Sequence, residues 1–345
     1  MTALTPLISA GHRLQLNEIP YGPPASVRAA LSRALASANR YPEFLPQRLP
    51  RLIAERLGCA PDAIAVGAGA TGVIMHIVQE FGSGGAEVVM ATPTFDGFPI
   101  LTSMAGGRPV AVPLTGAGRQ DLAALAAAVT ERTRLVVVCS PHNPTGTLVP
   151  PVEFEAFLRE IPAAITVVLD EAYVDFVAES ERADVFALLD RHPNLLVLRT
   201  FSKAYGLAAL RVGYAIGDPE LIERISRWQL PFGMTALAEV AVRACYEAEA
   251  EIEARIAVLG EHRTRLTTGL RELGLCVPDS YANFSYLTLP GPDADRVATA
   301  LAGADIHVKT YPTGIRITVG DRVATDAVLA TVRDTVLPGV RSTVQ

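Results

Sequence analysis

The sequence contains few residues of the kinds that build disulfide-rich or metal-binding proteins. Its 345 residues include 4 cysteines and 6 histidines. The cysteines (Cys59, Cys139, Cys245 and Cys276) are scattered with no Cys-x-x-Cys pair, and the histidines show no spacing typical of metal ligands. We therefore expect reduced thiols and no metal site.

Basic clusters, long apolar runs and a secretion signal are also missing. The formal net charge is −6 with no block of basic residues, which argues against nucleic acid as a partner. No apolar run is long enough to span a bilayer, and the N-terminus has no charged region followed by an apolar core. We therefore expect a cytoplasmic protein whose partners include neither nucleic acid nor a membrane.

The composition that remains is that of a folded globular protein, with 50% of the residues apolar and 19% charged. From residue 64 onward, short apolar runs alternate with helical segments. Several runs are continuous in Val, Ile and Leu, which is typical of parallel strands covered by helices on both faces. The predicted strands are Ile64–Val66, Glu87–Ala91, Arg108–Val112, Leu135–Cys139, Thr166–Leu169, Leu195–Leu198 and Val212–Ile216, and the helices between them are Gly72–Phe81, Asp121–Val129, Pro151–Arg159 and Glu220–Arg227.

These elements predict an α/β fold, in which a seven-stranded, mostly parallel sheet is sandwiched by helices. The sheet belongs to a large domain predicted over residues 26–240. Residues 1–25 are rich in Pro and Gly and are expected to form an extended, irregular arm. Residues 241–345 are expected to hold a linker helix and a small α+β domain.

Other predicted elements lie before and after the large sheet. Their limits follow from N-cap residues, from glycine and from hydrophobic periodicity. They are a helix capped by Ser26 and running to Leu35, a helix over Leu49 to Leu57 that ends at Gly58, a long helical segment from Ala236 to Leu273, strands Phe284–Leu289, Ile306–Lys309 and Gly314–Val319, and helices Asp293–Ala302 and Ala324–Val336.

The stretch Leu198–Tyr214 carries the strongest functional signal. It leaves a buried strand and offers Lys203 among small and hydroxyl-bearing residues, including Thr200 and Ser202. A lysine in a partly desolvated pocket loses proton affinity and can attack a carbonyl to form a Schiff base. Arg211 keeps its charge and is suited to a phosphate. Together they indicate an aldehyde that carries a phosphate, as pyridoxal phosphate does; a solvent-exposed loop lysine is the alternative.

A glycine-rich turn follows the first predicted strand. The segment from Gly67 to Gly72 has the form G-x-G-x-x-G and opens a helix, so a dinucleotide site has to be considered. However, the second strand ends in Ala-Thr-Pro, with no acidic residue to hold a ribose. A single phosphate at Ala70 and Thr71, bound by backbone N–H groups and the helix dipole, is the better interpretation. A tight turn without a ligand is the alternative.

Polar or aromatic residues follow three further strands. Phe95 can stack on a flat ring or belong to the core. Asn143 offers an amide for hydrogen bonding or forms a plain turn. Asp170 either caps a helix or faces a ligand, where it would keep a pyridine nitrogen protonated, and Tyr173 lies one turn further on. Because ligands of such sheets bind at the carboxyl ends of the strands, we expect these residues to share one site.

A set of short segments, spread nearly from end to end, forms a specific pattern. The segments are Leu16-Asn-Glu, Tyr21-Gly-Pro, Arg40-Tyr-Pro, Asn143-Pro-Thr-Gly, Asp170-Glu-Ala-Tyr, Thr200-Phe-Ser-Lys-Ala-Tyr-Gly-Leu-Ala, Leu210-Arg-Val-Gly-Tyr, Ala282-Asn-Phe and Ile315-Arg-Ile-Thr-Val. In this order they resemble the fold-type I pyridoxal-phosphate aminotransferases, whose fold is that of aspartate aminotransferase. The resemblance is closest to the histidinol-phosphate and aromatic (phenylalanine-type) enzymes.

The resemblance implies pyridoxal 5′-phosphate as the cofactor and transfer of an amino group between an amino acid and a 2-oxo acid. Lys203 would bind the cofactor covalently and then move the proton, and Asp170 would pair with the ring nitrogen. Asn143 and Tyr173 would hold the phenolic oxygen of the ring, and Phe95 would stack on it. The phosphate would be held by Ala70, Thr71, Thr200, Ser202 and Arg211.

The resemblance also assigns residues to the substrate and to a second subunit. Arg316 would bind the substrate carboxylate, or its equivalent anion, in a bidentate pair, with Asn143 and Tyr21 beside the substrate. Lys309 stands where histidinol-phosphate enzymes tend to carry an arginine that helps to bind the substrate phosphate. Tyr41 would reach the cofactor phosphate of the neighbouring subunit, which implies a homodimer with shared active sites.

Three departures weaken a histidinol-phosphate assignment and leave the cofactor chemistry intact. Ala68-Gly-Ala-Thr-Gly replaces the usual Asn-Gly-Ser-Asp-Glu, Ser140-Pro-His replaces Asn-Pro-Asn, and Lys309 cannot form a bidentate pair as an arginine does. The side-chain specificity stays open, including a role in specialised metabolism, because a few pocket residues change it. A decarboxylase of amino acids or their phosphates and, more distantly, a nicotinamide-dependent dehydrogenase remain as alternatives.

Overall fold

The computed structural model of the chain describes residues 11–340. Within this range the backbone forms twelve strands and twelve α-helices. The strands are β1 His12–Arg13, β2 Ile64–Ala68, β3 Glu87–Thr92, β4 Arg108–Pro113, β5 Thr133–Cys139, β6 Thr166–Asp170, β7 Leu195–Thr200, β8 Val212–Gly217, β9 Phe284–Thr288, β10 Ile306–His307, β11 Lys309–Tyr311 and β12 Gly314–Thr318. The helices are α1 Ala25–Ala34, α2 Arg48–Leu57, α3 Gly69–Phe81, α4 Gly97–Met104, α5 Leu122–Ala127, α6 Pro151–Glu160, α7 Val185–Arg191, α8 Pro219–Ser226, α9 Ala236–Glu247, α10 Glu249–Glu272, α11 Gly291–Gly303 and α12 Arg322–Val340.

Seven strands form the central sheet, in the order β2-β8-β7-β6-β5-β3-β4. Neighbouring strands from β7 to β4 pair in parallel, whereas β8 is antiparallel to both β7 and β2. As a result β2 points the same way as β7, and the carboxyl ends of six strands lie at one edge together with the start of β8. The predicted seven-stranded, mostly parallel sheet is confirmed.

Helices cover both faces of this sheet because both faces are apolar. Along β5, Val136 and Val138 pack into one buried cluster, while Leu135 and Val137 pack into the cluster on the other face. Successive side chains of a strand point to opposite faces, so a continuous apolar run is buried only when each face is covered. Each such side chain contributes roughly 1.5–3 kcal/mol when it is fully buried.

A smaller antiparallel sheet lies in the C-terminal part of the chain, in the order β11-β12-β9. It packs with α10, α11 and α12 around a separate apolar cluster that includes Phe284, Leu301, Ile317 and Val328. The predicted small α+β domain is therefore present. Leu14 from the N-terminal part of the chain also belongs to this cluster, so the arm is attached to the small domain.

The predicted strand Ile306–Lys309 is wrong. Its first two residues form β10, which pairs in parallel with β1, whereas Lys309 begins β11 and pairs with β12. The extended, irregular arm predicted over residues 1–25 contains one short strand, β1; residues 1–10 fall outside the described range. Both differences have one cause, because β1 and β10 are nearly 300 residues apart and neither is long enough to show a pattern of its own.

The helices before the large sheet agree with prediction except at one cap. Ser26 does not cap α1, because the helix begins at Ala25 behind Pro24, and no side chain caps it. A proline before the first turn supplies a suitable backbone angle without a capping hydroxyl. Gly58 ends α2 with a left-handed φ of 71°, as predicted.

The helical segment predicted from Ala236 to Leu273 consists of two helices. α9 and α10 meet at Ala248, whose φ of −101° and ψ of 19° interrupt the helical backbone. Two further helices, α4 and α7, were not predicted. The start of α7 carried a readable signal, since the Asp184 side chain caps it by accepting from the N–H of Ala187.

Three observations on the described residues concern membrane-spanning helices, metal sites and the cysteines. None of the helices between residues 11 and 340 combines the length and the apolarity that crossing a membrane requires. In the same range, no group of three or more His, Cys, Asp or Glu side chains is arranged to hold a metal ion. All four cysteines are free thiols.

Candidate active site

A cavity of about 360 Å³ opens where the carboxyl ends of the strands meet. The edge of the large sheet forms one wall, and residues 15–18 of the arm together with the small sheet form the other. The chain has two lysines, and both line this cavity. The residues predicted from the sequence that line it are Ala70, Thr71, Phe95, Asn143, Asp170, Tyr173, Thr200, Ser202, Lys203, Arg211, Lys309 and Arg316.

Lys203 projects from the turn after β7. Its Nζ donates to the backbone carbonyls of Leu16 at 3.0 Å and of Asn17 at 3.3 Å. Burial, and then the positive charge of Arg316, lower the pKa of Lys203 to about 8. A larger fraction of this amine is therefore uncharged near neutral pH than of an exposed lysine, which favours attack on a carbonyl.

The start of α3, the hydroxyls after β7 and Arg211 form one corner of the cavity. Thr200 Oγ1 donates to Ser202 Oγ at 3.0 Å. Arg211 has a left-handed φ of 53°, and its Nη1 donates to the carbonyl of Ala208 at 2.9 Å. Its guanidinium lies so close to Gly69 that a Cβ there would be 2.2 Å from Nη2. The glycine thus leaves room for a cation beside the first N–H groups of a long helix, an arrangement that suits a phosphate.

Asp170 ends β6 and is 7% exposed. One carboxylate oxygen accepts from the N–H of Ala172 at 3.0 Å, whereas the other lies 3.9 Å from Cys139 Sγ, a weak donor. Burial raises the pKa of Asp170 to about 6. A buried carboxylate with one weakly bonded oxygen is suited to a cationic N–H donor, such as a protonated ring nitrogen.

Tyr173 has its hydroxyl at the centre of a small polar network. The hydroxyl accepts from Asn17 Nδ2 at 2.7 Å and from Asn143 Nδ2 at 3.4 Å. The ring packs edge-on against Phe284 of the small sheet, with 5.1 Å between the ring centroids. Burial raises the pKa of Tyr173, so the phenol stays protonated and its O–H is available to donate to a ligand oxygen.

Arg316 lies on β12 and is 6% exposed. Its Nη1 donates to Asn143 Oδ1 at 2.5 Å and to the Tyr311 hydroxyl at 3.1 Å, and its Nη2 donates to the carbonyl of Gln15 at 2.6 Å. None of these partners carries a charge. The buried Nε has no hydrogen-bond partner within residues 11–340. A buried guanidinium with neutral partners and a spare N–H is suited to an anionic ligand.

Lys309 and Phe95 lie at the mouth of the cavity. Lys309 is the cross-strand neighbour of Arg316 on the small sheet, and its Nζ forms an ion pair with Asp96 at 3.1 Å. Phe95 contacts Phe98 edge-on, with 6.1 Å between the ring centroids. Because the Phe95 ring lines the cavity, the geometry is compatible with its predicted stacking role.

Tyr21 and Tyr41 do not line the cavity of their own chain. Tyr21 packs at the margin of the small-domain cluster. Tyr41 is 83% exposed, and its ring centroid lies 4.8 Å from that of Phe232. The role expected for Tyr41 involves a neighbouring subunit and stays a prediction, as does the role of Tyr21 above the substrate.

Sequence reasoning gave no role to Asn17, which joins both walls of the cavity. Its φ is 56°, a left-handed conformation that asparagine tolerates better than most residues. Its side chain donates to Tyr173 and accepts from Thr318 Oγ1 at 3.1 Å, and its carbonyl accepts from Lys203 and from Asn283 Nδ2. Asn17 and Asn283 both lie in segments of the family pattern, so their positions were visible. Their partners were not, because they lie 156 to 301 residues from Asn17.

A family model described as aminotransferase class I and II matches residues 11–332. The chain belongs to the class I and II aminotransferases. The aromatic amino acid aminotransferase of Mycobacteroides abscessus is 43% identical over 318 residues, which cover 92% of this chain and 91% of the relative. The resemblance seen in the sequence motifs is therefore confirmed, and the protein is a transaminase.

Solved aminotransferase structures share the fold. Histidinol-phosphate aminotransferase from Sinorhizobium meliloti, in complex with pyridoxal-5′-phosphate, matches with a TM-score of 0.88 at 28% identity, covering 95% of this chain and 91% of that one. Aspartate aminotransferase from Thermus thermophilus with maleate matches in fold with a TM-score of 0.82 at 23% identity, covering 94% and 91%. The predicted aspartate-aminotransferase-like α/β fold is confirmed.

The glycine-rich turn of this aminotransferase is not a dinucleotide fingerprint. That fingerprint requires a βαβ unit with parallel strands around the turn. Here Gly67 lies in β2, an edge strand whose neighbour β8 is antiparallel. Glycine serves close packing instead, since a Cβ on Gly213 of β8 would lie 2.2 Å from the nitrogen of Ala70.

Proposed function

We propose that this aminotransferase uses pyridoxal 5′-phosphate, held covalently by Lys203. The observation that carries the proposal is the convergence on one cavity of three groups: an amine with a lowered pKa, the Asp170 carboxylate and the anion corner at Arg211. Each group matches one part of the cofactor, namely the aldehyde, the ring nitrogen and the phosphate. The bound cofactor supplies an electron sink for negative charge that develops at the substrate Cα.

Separate residues of the chain are proposed to transfer the proton and to bind each part of the cofactor. Lys203, whose pKa is lowered to about 8, would act as the base that takes a proton from the substrate Cα and as the acid that gives it back. Asp170 would keep the ring nitrogen protonated, and Asn143 and Tyr173 would hold the phenolic oxygen. Phe95 would stack on the ring. The phosphate would be held by the backbone and side-chain donors of Ala70, Thr71, Thr200, Ser202 and Arg211, all of which line the cavity.

An aromatic amino acid is the donor that we propose, with a 2-oxo acid as the acceptor. The relative from Mycobacteroides abscessus is named for aromatic amino acids and shares 43% identity with this chain. Arg316 binds the substrate carboxylate, and its spare Nε and neutral partners support this role. The ring of Tyr311 lines the cavity and provides an apolar face for an aromatic side chain.

A homodimer with shared active sites is the assembly that we propose. The segments around Tyr41 and Phe232 are joined by a hydrogen bond from the N–H of Phe232 to the carbonyl of Phe44 at 2.7 Å. They form an apolar surface, on which Tyr41, Phe44 and Leu230 are 83%, 60% and 72% exposed. A patch of this kind is typical of a protein interface and would bring Tyr41 to the partner's cofactor phosphate.

The domain division that we propose is an arm over residues 1–25, a large cofactor-binding domain over 26–240, and a linker helix with the small domain over 241–345. Separate apolar clusters on the large sheet and in the small domain support it. Tyr173 and Phe176 of the large domain also enter the small-domain cluster, so the two domains pack tightly beside the cavity.

A donor panel tests the proposed function. The purified holoenzyme is mixed with phenylalanine, tyrosine, aspartate or histidinol phosphate, and conversion of the bound cofactor to its amine form is followed by absorbance. We expect the aromatic donors to convert it fastest and to leave the matching 2-oxo acids, which chromatography identifies. Fastest conversion by histidinol phosphate would overturn the proposed donor, and conversion by none of the four donors would overturn the aromatic assignment.

A further inference from the structure

Two neighbouring cations, Arg316 and Lys309, lie on the small-sheet wall of the cavity; we call them the anion subsite, and Lys309 is already paired. Lys309 and Arg316 face each other across β11 and β12. The Nζ of Lys309 lies 3.1 Å from Asp96 Oδ2. Asp96 precedes α4 at the edge of the large domain, so this ion pair joins the two walls at the mouth of the cavity.

Arg316 and Lys309 therefore differ in how readily they can bind an anionic ligand. Arg316 has neutral partners and an Nε without a partner among the described residues. Lys309 is offset by a carboxylate, so an incoming anion must compete with Asp96 for it. A carboxylate needs one guanidinium for a bidentate pair, whereas a doubly charged phosphate gains from a second cation and is repelled by a nearby carboxylate.

We infer that Asp96 sets the selectivity of the anion subsite, so that it accepts a carboxylate and discriminates against a phosphate. The inference rests on the proposed role of Arg316 as the substrate-anion residue. The inference extends that role, because it explains how the subsite can hold Lys309 next to Arg316 and still favour a carboxylate over a phosphate. Selectivity here comes from a repulsive group as well as from an attractive one.

The Asp96 side chain contributes little to the stability of the fold. It stands at the N-cap position of α4, but its side chain makes no capping hydrogen bond. Its carboxylate is 56% exposed, and the Lys309 side chain is 43% exposed. An exposed ion pair contributes little to stability, about 0–1 kcal/mol, so Asp96→Asn removes the charge while keeping the shape and the fold.

The probes are two ligands that lack an amino group and cannot react. 3-Phenylpropanoate and 2-phenylethylphosphonate carry their anion on the same carbon, as a carboxylate and a phosphonate. Their dissociation constants are measured by calorimetry on the holoenzyme at mildly alkaline pH, where the phosphonate is doubly charged. The variants are Asp96→Asn, Lys309→Gln and the double variant. Glu18→Gln is the matched control, because Glu18 also lines the cavity but forms no ion pair with Lys309.

The wild-type protein is expected to prefer the carboxylate. Asp96→Asn should shift the preference towards the phosphonate by about tenfold, which is the scale of one charge-assisted hydrogen bond. The double variant should lose most of this gain, since no lysine is left to be freed. Glu18→Gln should shift the preference by less than about threefold, because it releases no paired lysine to the ligand.

Two results would overturn the inference. One is an unchanged preference in Asp96→Asn; the other is a gain that persists in the double variant, which would show that Lys309 is not the group released. Because binding is measured without turnover, these outcomes are independent of whether phenylalanine is the true donor. If neither ligand binds to any variant, the cavity does not accept an aromatic anion, and both the proposed donor and the inference are wrong.

Discussion

The two walls of the cavity were assembled by the fold in different ways. The wall at the edge of the large sheet carries residues that directly follow strands, such as Asp170 after β6 and Lys203 after β7. The opposite wall is built from the arm and the small sheet, where Arg316 donates to the carbonyl of Gln15, 301 residues away in the chain. Each residue of the first wall is positioned by the strand that it follows. The second wall depends on contacts between the two ends of the chain.

In the proposed function this difference separates chemistry from substrate recognition. The residues at the sheet edge would bind the cofactor and move a proton. Those on the arm and the small sheet would bind the substrate anion, and hydrogen bonds of Asn17 join the two walls. We therefore expect variants of the first wall to abolish turnover and variants of the second wall to weaken substrate capture.

The largest expected effect is that of Lys203→Ala. Loss of the ε-amine removes both the covalent link to the cofactor and the proton carrier, so turnover should fall by at least about three orders of magnitude, together with the yellow absorbance of the holoenzyme. Steady-state kinetics and visible spectra measure the two effects. Lys203→Arg is the control, because it keeps the charge without a reactive amine. Full activity in either variant would contradict the division between the walls.

Arg316→Gln should act mainly on substrate capture. Removing the guanidinium leaves a substrate carboxylate without its charged partner, which costs about 2–5 kcal/mol, so kcat/KM for phenylalanine should fall by about 30-fold to 5,000-fold. The visible absorbance of the bound cofactor should persist. Arg316→Lys should recover part of the loss, since a lysine attracts the anion without a bidentate pair. An unchanged KM for phenylalanine would remove Arg316 from the anion subsite.

Asn17 tests whether the two walls are coupled. Asn17→Ala removes the hydrogen bonds to Tyr173 and Thr318 and also strains a residue at φ 56°, so we expect a loss of roughly tenfold in kcat/KM. Asn17→Gly tolerates the backbone conformation and lacks the side chain. Comparison of the two variants in the same assay separates strain from lost hydrogen bonds. Wild-type kinetics in both would mean that the arm only covers the cavity.

The smallest expected effect is a shift in the pH dependence of cofactor capture. It arises because the charge of Arg316 on one wall acts on Lys203 on the other. Capture of the cofactor by the apoprotein needs the uncharged amine of Lys203, so its rate should rise with pH through a midpoint near the pKa of about 8. The charge of Arg316 helps to lower this pKa, so the midpoint should move to higher pH in Arg316→Gln. Rapid-mixing absorbance across a pH series measures it. A midpoint indifferent to the charge at position 316 would show that the walls are electrostatically independent.

The same contrast explains what the sequence could predict. Asp170 and Lys203 could be assigned to one site because the end of an apolar run predicts the end of a buried strand, and parallel strands bring their carboxyl ends to one edge of the sheet. Arg316 was placed by resemblance to the family alone. Asp96 was passed over, since an acidic residue before a short helix has no signal that names Lys309 as its partner.

Asn17 and the strand predicted at Ile306–Lys309 show that contacts between distant segments could not be predicted from the sequence. The sequence around Asn17 matched the family pattern, yet its contacts with Tyr173 and Thr318 depend on how the arm crosses the molecule. The pairing of β1 with β10 likewise depends on tertiary contacts between distant segments. Hydrophobic periodicity reports burial along one element, and it carries no information on which distant segment pairs with a two-residue strand.

Reduction of the holoenzyme with borohydride, followed by peptide mass mapping, tests the central claim most directly. The chain has two lysines, so Lys309 serves as an internal control for Lys203 within the same cavity. The account predicts that the reduced cofactor is fixed on the peptide that contains Lys203 and is absent from the peptide that contains Lys309. A label on Lys309, or a colourless protein that borohydride leaves unlabelled in the presence of pyridoxal phosphate, would contradict it.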